Sequence, residues 1–342
     1  MSRPPRAFDP GQPDARRKRG REATETLHFE DTETAKRLAG PNNRYLALIE
    51  DAFDVLLAAP GGAVTITGGA EEREGAKRAL AELHGRISSG NLDGEEDVKA
   101  AIRFARHGGE LGVQDSGAIL VGRRTNVGPR TPTQATYIEM LRDCDLVFGV
   151  GPAGTGKTFL AVAYGLSELI SGRVSRLVVC RPAVEAGERL GFLPGDMAEK
   201  VDPYLQPIWD ALQDLLGREA LDRRRALGEI EVAPLAFMRG RTLSNAYVIV
   251  DEAQNATVGQ MKMVLTRIGQ GARMVVTGDP TQVDLPRREK SGLSHALEIL
   301  QDVDGMRVVR FTRADVVRHP IVSQIVAAYE AAAERERAGE RP

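Results

Sequence analysis

The sequence is short of cysteine, of net charge and of long apolar runs, and each shortage argues against a class of protein. Its two cysteines, Cys144 and Cys180, lack the spacing of metal ligands and lie beside apolar runs, so we expect buried thiols in a reducing cytoplasm. No apolar run approaches the roughly 20 residues that span a bilayer, and the N-terminal residues contain no apolar signal region. These features predict a cytoplasmic protein without a membrane segment.

The formal net charge of the chain is only −2, so overall charge gives no argument for nucleic acid as a partner. Positive charge is concentrated in one place, the cluster Arg16, Arg17, Lys18, Arg19 and Arg21. The cluster lies in a segment rich in Pro, Gly and Asp, which predicts a disordered basic tail over residues 1–24. That tail is either simply solvated or in contact with nucleic acid.

The length of 342 residues is enough for two domains. Residues 25–108 predict a small α+β domain with the order β-α-α-β-β-α and one further helix, including a hairpin around residues 60–62. A glycine-rich linker over 109–130 and a main domain over 131–332 are expected to follow, and 333–342 to form a disordered tail.

From residue 146 onward, short apolar runs rich in β-branched residues alternate with helical patterns. The runs are LVFGV, RLVVC, EVAPLAF, YVIVD, RMVVTG and RVVRF, and they suit strands that are covered on both faces. This alternation predicts an α/β fold with a doubly wound parallel sheet.

The strongest local motif is a phosphate-binding loop that follows the first of these strands and opens a helix. It consists of Gly151, Pro152, Ala153, Gly154, Thr155, Gly156, Lys157 and Thr158. Glycines let backbone N–H groups surround phosphate oxygens at a helix N-terminus, which is the context that the motif requires. Lys157 is predicted to reach the β and γ phosphates, and Thr158 to ligate Mg²⁺.

Two carboxylates end another strand, in the stretch YVIVDEAQNA. Asp251 is predicted to hold the Mg²⁺ through water, and Glu252 to orient or deprotonate an attacking water molecule. Carboxylates at such a position can also cap a helix, but together with a phosphate loop they favour catalysis. An acid beside the magnesium ligand favours hydrolysis over transfer to a metabolite.

The stretch RMVVTGDPTQVD ends a third strand in a polar tip. P-loop proteins with a catalytic glutamate usually insert one strand between the phosphate-loop strand and the Asp-Glu strand, and this placement would put Gln282 beside the terminal phosphate as a sensor. The alternative is a polar β-turn without a ligand. Upstream, Gln134 begins a helix and either pairs with the N6 donor and N7 acceptor of adenine, which favours ATP, or is an ordinary helix-start residue.

Five motifs together resemble the PhoH family, the phosphate-starvation-inducible ATPases. They are GPAGTGKT, RPAVEAGERLGFLPGD (181–196), RGRTLSNAYVIVDEAQN (239–255), TGDPTQVD and DVVRHPIV (315–322). The likeness covers residues 115–330, and the same set resembles the first motor domain of the RecA-like superfamily 1 helicases. It implies a P-loop NTPase that acts on single-stranded RNA, with helicase activity as a candidate. It also implies a link to RNA and ribosome maturation beside a metal-dependent endoribonuclease.

The resemblance also suggests RNA contacts outside the nucleotide loop. Residues 25–108 are similar to the KH-like domain of longer family members, whose Gly-x-x-Gly loop clamps RNA. Here the loop reads GPNN (40–43), so the second glycine is missing, and a packing or oligomerisation domain is the alternative. Arg181, Arg239 and Arg241 match positions at which such motors touch nucleic acid.

One motor core holds only part of a helicase site, because a further arginine must stabilise the charge that develops on the γ-phosphate. Arg318 is the candidate, and Arg313 lies near it. We therefore predict a homo-oligomeric ring, a hexamer, in which Arg318 reaches the neighbouring site; otherwise it acts within its own chain or faces solvent. Two other functions stay open, a nucleotide-dependent switch and a P-loop phosphotransferase that does not act on RNA.

Overall fold

The computed structural model describes residues 23–29, 32–88, 94–107, 117–122, 125–182, 197–286, 288–317, 321–322, 325 and 328–329, with side chains from residue 204 onward in the segment that begins at 197. The chain divides into two compact units, Met1–Val113 and Gln114–Pro342. The predicted tails, 1–24 and 333–342, lie outside the described residues except for Ala23 and Thr24, which begin a strand.

The first unit contains a three-stranded antiparallel sheet. Its elements are β1 (Ala23–His28), α1 (Thr32–Ala39), α2 (Arg44–Phe53), β2 (Leu56–Ala58), β3 (Ala63–Gly68), α3 (Ala70–Ser88) and α4 (Glu95–Arg106). This confirms the predicted order β-α-α-β-β-α with one further helix, and β2 and β3 form the predicted hairpin. The sheet order is β1-β3-β2. The apolar residues of α3 that recur at helical spacing are all buried in the core, namely Ala76, Ala79, Leu80 and Leu83.

The loop between α1 and α2 has an unusual backbone. Gly40, Asn42 and Asn43 have positive φ angles of 68°, 52° and 59°. At Gly40 a Cβ atom would collide with the ring of Tyr45, so this position requires glycine. Asparagine tolerates left-handed angles better than most residues, which explains how the loop keeps its shape without a second glycine. The KH-like assignment of this unit stays a prediction.

The second unit is an α/β domain with a six-stranded sheet. Its elements are β4 (Ile119–Val121), β5 (Thr125–Val127), α5 (Pro132–Asp143), β6 (Leu146–Val150), α6 (Lys157–Ile170), β7 (Arg176–Arg181), α7 (Met197–Leu216), α8 (Arg218–Ala226), β8 (Ile230–Pro234), β9 (Ala246–Val250), α9 (Val258–Leu265), β10 (Arg273–Gly278), α10 (Gly292–Ile299) and β11 (Met306–Arg310). The sheet order is β11-β6-β10-β9-β7-β8, and every pair is parallel. All six predicted strands are confirmed.

Apolar clusters lie on both faces of the sheet, which is why its strands are apolar throughout. Along β9, Tyr247 and Ile249 pack into the cluster that includes residues of α6 and α7. Val248 and Val250 point the other way, into the cluster that includes residues of α9 and α10. The alternation of side chains along a strand therefore serves two cores. The predicted doubly wound α/β fold is confirmed.

The interval predicted as a linker, 109–130, contains the antiparallel hairpin β4–β5. Ile119 and Val121 are buried and belong to the same apolar cluster as α6. These two residues alternate with the exposed Leu120, which is the pattern of a strand with one covered face. Among the described residues, no helix combines the length and the apolar character needed to cross a membrane.

Candidate nucleotide site

The strand order decides which loops meet at the carboxyl edge of the sheet. β10 is hydrogen-bonded to β6 on one side and to β9 on the other, which confirms the predicted insertion. Because parallel strands end at the same edge, the residues that follow these three strands come together there. They line a cavity of about 250 Å³, formed by Ala153, Gly154, Gly156, Lys157, Thr158, Phe159, Asp251, Glu252, Gly278, Asp279 and Gln282.

The phosphate loop depends on glycine for its shape. Gly151 and Gly156 have φ angles of 140° and 81°, and a Cβ atom at Gly151 would collide with the carbonyl oxygen of Phe311. The Nζ atom of Lys157 donates to the carbonyl oxygens of Gly151 and Pro152, each at 2.7 Å. The ammonium group therefore lies against the loop, where phosphate oxygens would replace these carbonyls as acceptors.

Thr158, Asp251 and Thr277 form a compact oxygen cluster beside the loop. The Oδ1 atom of the buried Asp251 accepts from the hydroxyl of Thr158 at 2.6 Å and from that of Thr277 at 2.7 Å. Mg²⁺ prefers such hard oxygen ligands and takes only one or two of them from the protein. The residues therefore fit a Mg²⁺ ion held by Thr158 and Asp251. In the described part of the chain, no group of three or more His, Cys, Asp or Glu residues could hold a metal.

The charge of Asp251 also acts on the core next to it. Tyr137 is fully buried and makes an edge-to-face contact with Phe311. Burial first, and then the negative charge of Asp251, raise the pKa of Tyr137 well above its ordinary value. This tyrosine is therefore neutral at pH 7.

Glu252 occupies a strained backbone position. Its φ and ψ angles are 51° and 39°, a left-handed conformation that is uncommon for residues other than glycine. Its Oε1 atom pairs with an Nη atom of Arg181 at 3.3 Å, and its Oε2 atom accepts from the Nε2 atom of Gln254 at 2.5 Å. The carboxylate, whose side chain is 39% exposed, therefore lines the cavity between a cation and an amide.

Gln282 lines the same cavity from a turn after β10. Its Nε2 atom donates to the Oδ2 atom of Asp279 at 2.8 Å, and its backbone N–H donates to the Asp279 carbonyl at 3.0 Å. The Oδ1 atom of Asp279 accepts from the backbone N–H and the hydroxyl of Thr281. The polar turn of the alternative interpretation is thus present, and it carries Gln282 into the cavity that Lys157 and Glu252 line. The sensing role itself stays a prediction.

Gln134 is buried against the phosphate loop, with both ends of its amide in use. Its Oε1 atom accepts from the backbone N–H of Arg130 at 2.6 Å, and its Nε2 atom donates to the carbonyl of Thr155 at 3.0 Å. The amide oxygen can accept one further hydrogen bond and the amide nitrogen can donate one, which are the two bonds that pairing with adenine needs. The adenine contact stays a prediction, and the structure shows a bracing contact with the loop that the sequence did not indicate.

The arginines predicted to contact RNA differ in their surroundings. Arg181 pairs with the carboxylate of Glu252. Arg241 forms two hydrogen bonds with the carboxylate of Glu231, at 2.6 Å and 2.7 Å, and they lower the pKa of that carboxyl group. Arg239 is exposed. Arg318, the predicted arginine finger, lies outside the described residues.

Five residues of the site are absent from the sequence prediction: Phe159, Gln254, Thr277, Gly278 and Asp279. Thr277 resembles any β-branched strand residue, and only its hydrogen bond to Asp251 shows its place. Gln254 follows Glu252 by two positions, so its proximity was visible but its hydrogen bonds were not. Phe159 is 39% exposed although it lies in the first turn of a mostly buried helix.

Comparisons with known proteins agree with one another. A family model described as "PhoH-like protein" matches residues 126–330. The chain is 44% identical over 306 residues to the PhoH-like protein of Bacillus subtilis (strain 168), which covers 88% of this chain and 96% of that protein. It is 44% identical over 294 residues to the PhoH-like protein of Mycobacterium tuberculosis (strain ATCC 25618 / H37Rv), covering 85% and 84%. It is 43% identical over 238 residues to Protein PhoH of Escherichia coli (strain K12), covering 69% and 66%.

Proposed function

This chain belongs to the PhoH family, and on that premise we propose that it binds ATP with Mg²⁺, hydrolyses the ATP and couples hydrolysis to the binding or remodelling of RNA, as an RNA helicase or a factor in RNA and ribosome maturation. One observation carries the hydrolytic part of the proposal. The phosphate loop, Asp251, Glu252 and Gln282 come from three separate strands and line a single cavity. Each supplies a group that phosphoryl transfer to water requires.

The groups of the chain divide the reaction between them. Backbone N–H groups of the loop and the ammonium of Lys157 bind the β and γ phosphates. Thr158 and Asp251 hold Mg²⁺, which neutralises phosphate charge when bound. Glu252 orients a water molecule and accepts its proton while the water oxygen bonds to the γ-phosphorus. The bond from that phosphorus to the bridging oxygen breaks, ADP leaves with the electron pair, and Gln282 distinguishes the triphosphate from the diphosphate by its contact with the γ-phosphate or the water.

Steady-state ATP turnover with and without Mg²⁺ tests the hydrolytic part. Lys157→Ala should lose ATP binding. Glu252→Gln should still bind ATP while kcat falls by about 10²–10⁴, the usual contribution of a general base; unchanged turnover would remove the role of Glu252. Tight ATP binding without turnover by the wild type would instead identify a nucleotide-dependent switch. Turnover only in the presence of a small-molecule acceptor would identify a phosphotransferase.

The first unit supports the RNA part of the proposal. Its loop at residues 40–43 joins two helices, as in domains that clamp an RNA backbone between the glycines of such a loop. Negative charge placed there would repel phosphates. We expect Asn42→Asp with Asn43→Asp to weaken the binding of single-stranded RNA by the full-length protein. Asn245→Asp, a change at another exposed asparagine with a left-handed backbone, should leave binding unchanged. If both variants bind RNA as tightly as the wild type, the packing or oligomerisation alternative is favoured.

The proposal includes an assembly, a homo-oligomeric ring of six subunits in which Arg318 completes the site of the neighbouring subunit. Lys157 is the only cation among the described residues that line the cavity, and the nearby Arg181 is paired with Glu252. An arginine finger contributes about 10³–10⁵ in rate. A mass measurement with ATP bound tests the ring. Mixing Arg318→Ala with Lys157→Ala subunits should restore turnover in freely exchanging assemblies, and no recovery would argue against sharing. A metal-dependent endoribonuclease is the proposed partner class, which co-purification tests.

A further inference from the structure

Gln254 is a buried side chain for which the proposed reaction has no use, yet both ends of its amide are engaged. It is 1% exposed. Its Nε2 atom donates to the Oε2 atom of Glu252 at 2.5 Å, and its Oε1 atom accepts from the backbone N–H of Asp279 at 3.0 Å. A single amide therefore joins the carboxylate that follows β9 to the first residue after β10.

The connection continues to the tip of the next loop. The Oδ2 atom of Asp279 accepts from the Nε2 atom of Gln282 at 2.8 Å, and its Oδ1 atom is fixed by Thr281. Asp279 is itself buried, so its carboxylate has little freedom to exchange these partners for water. One hydrogen-bonded row thus crosses the ends of β9 and β10, and it consists of Glu252, Gln254, Asp279 and Gln282.

Close packing holds the row in place. A Cβ atom at Gly278 would lie 2.6 Å from the Oε1 atom of Gln254 and 2.7 Å from the side chain of Leu293, so the amide lies directly against the last residue of β10. At the other end of the row, Arg181 pairs with the Oε1 atom of Glu252 and donates to the carbonyl of Tyr204 at 3.0 Å. The two oxygens of one partly exposed carboxylate are therefore fixed by two different groups.

We infer that Gln254 is a positioning residue that sets the orientation of the Glu252 carboxylate and ties it to the tip of β10 that carries Gln282. The inference rests on the proposed ATP hydrolysis and names the group that couples its two parts. An amide suits this position because it donates to a carboxylate and accepts from a backbone N–H at the same time, independently of pH.

Gln254→Glu tests the inference, because it keeps the size of the side chain and the acceptor for Asp279 but removes the donor to Glu252. We expect kcat at pH 8 to fall by roughly 10–100-fold, as for other positioning contacts, with little change in the KM for ATP. Gln260→Glu is the matched control, because Gln260 accepts from the backbone N–H of Thr257 at 2.9 Å through the oxygen that the substitution keeps.

A second variant and a second background separate positioning from structure. Gln254→Met, neutral and of similar length, should show the same loss of kcat, and it serves alone if Gln254→Glu does not fold. In a Glu252→Gln background either change should have little further effect, because no carboxylate is left to orient.

Three results would overturn the inference while ATP hydrolysis stands: a wild-type kcat for Gln254→Glu, an equal loss in both backgrounds, or a loss of ATP binding. If the wild-type protein hydrolyses no ATP, the proposed function falls first, and the inference falls with it.

Discussion

Thr277→Val isolates the hydrogen bond that holds Asp251 in place. The hydroxyl of Thr277 donates to the Oδ1 atom of Asp251 at 2.7 Å, and Thr158 donates to the same oxygen. Thr277 is fully buried, and valine has nearly the same shape, so the substitution removes one donor and leaves the surrounding packing in place. The carboxylate, itself buried, cannot recover the lost bond fully from water.

The size of the effect follows from the charge of the acceptor. A hydrogen bond to a charged group contributes about 1.5–3 kcal/mol, so the free energy of unfolding should fall by about that amount. For a domain of this size, such a change lowers the melting temperature by roughly 3–12 °C. The loss should also appear in metal binding, because removing a partner that orients a ligand costs about 10–100-fold in metal affinity. The Mg²⁺ concentration for half-maximal turnover should rise accordingly.

Two measurements check this prediction, thermal unfolding and a Mg²⁺ titration of ATP turnover well below the melting temperature. Thr277→Ser is the control, because it keeps the hydroxyl and loses only a methyl group; we expect a Mg²⁺ requirement close to that of the wild type. A normal Mg²⁺ requirement in Thr277→Val would refute the reasoning, even if the protein were less stable. It would show that Asp251 is held well enough by Thr158 and the backbone.

Three further predictions follow from other contacts. Phe159→Ala should raise the KM for ATP by about two- to tenfold, the contribution of one aromatic contact, with little change in kcat; an unchanged KM would place the ring outside the nucleotide site. Burial raises the pKa of Cys180 to about 12 and also raises the pKa of Cys144. At pH 8 a thiol reagent should therefore modify the half-buried Cys144 slowly and Cys180 only after unfolding. Rapid modification of Cys180 in the folded protein would contradict its burial. Arg241 lowers the pKa of Glu231, so their pair stabilises the fold above the ordinary glutamate pKa and ceases to do so as the pH falls through the lowered value. Arg241→Ala should therefore lower the free energy of unfolding by about 1 kcal/mol at pH 7, since both side chains are partly exposed. Denaturant unfolding should show that this difference from the wild type becomes smaller in acid. A difference that stays constant with pH would exclude the ion pair as its cause.

The sequence by itself determined the features that depend on near neighbours along the chain. Six apolar runs became the six strands, because side chains covered on both faces must be apolar whatever the order of the strands. The phosphate loop spans eight consecutive residues, and the positive φ angles of its glycines are a local requirement. The order of elements in the first unit and its hairpin follow from periodicity and turn residues in the same way.

Only the tertiary structure decided which polar groups meet. The hydrogen bond from Thr277 to Asp251 joins residues 26 positions apart, that from Asp279 to Gln254 joins residues 25 apart, and that from Gln134 to Thr155 joins residues 21 apart. No periodicity encodes these pairs, because each depends on which elements lie side by side. Had β10 formed at an edge of the sheet, the same residues would have ended away from the phosphate loop. It lies instead between β6 and β9, with Val275 in one apolar cluster and Met274 and Val276 in the other, and this place brings Gln282 to the cavity.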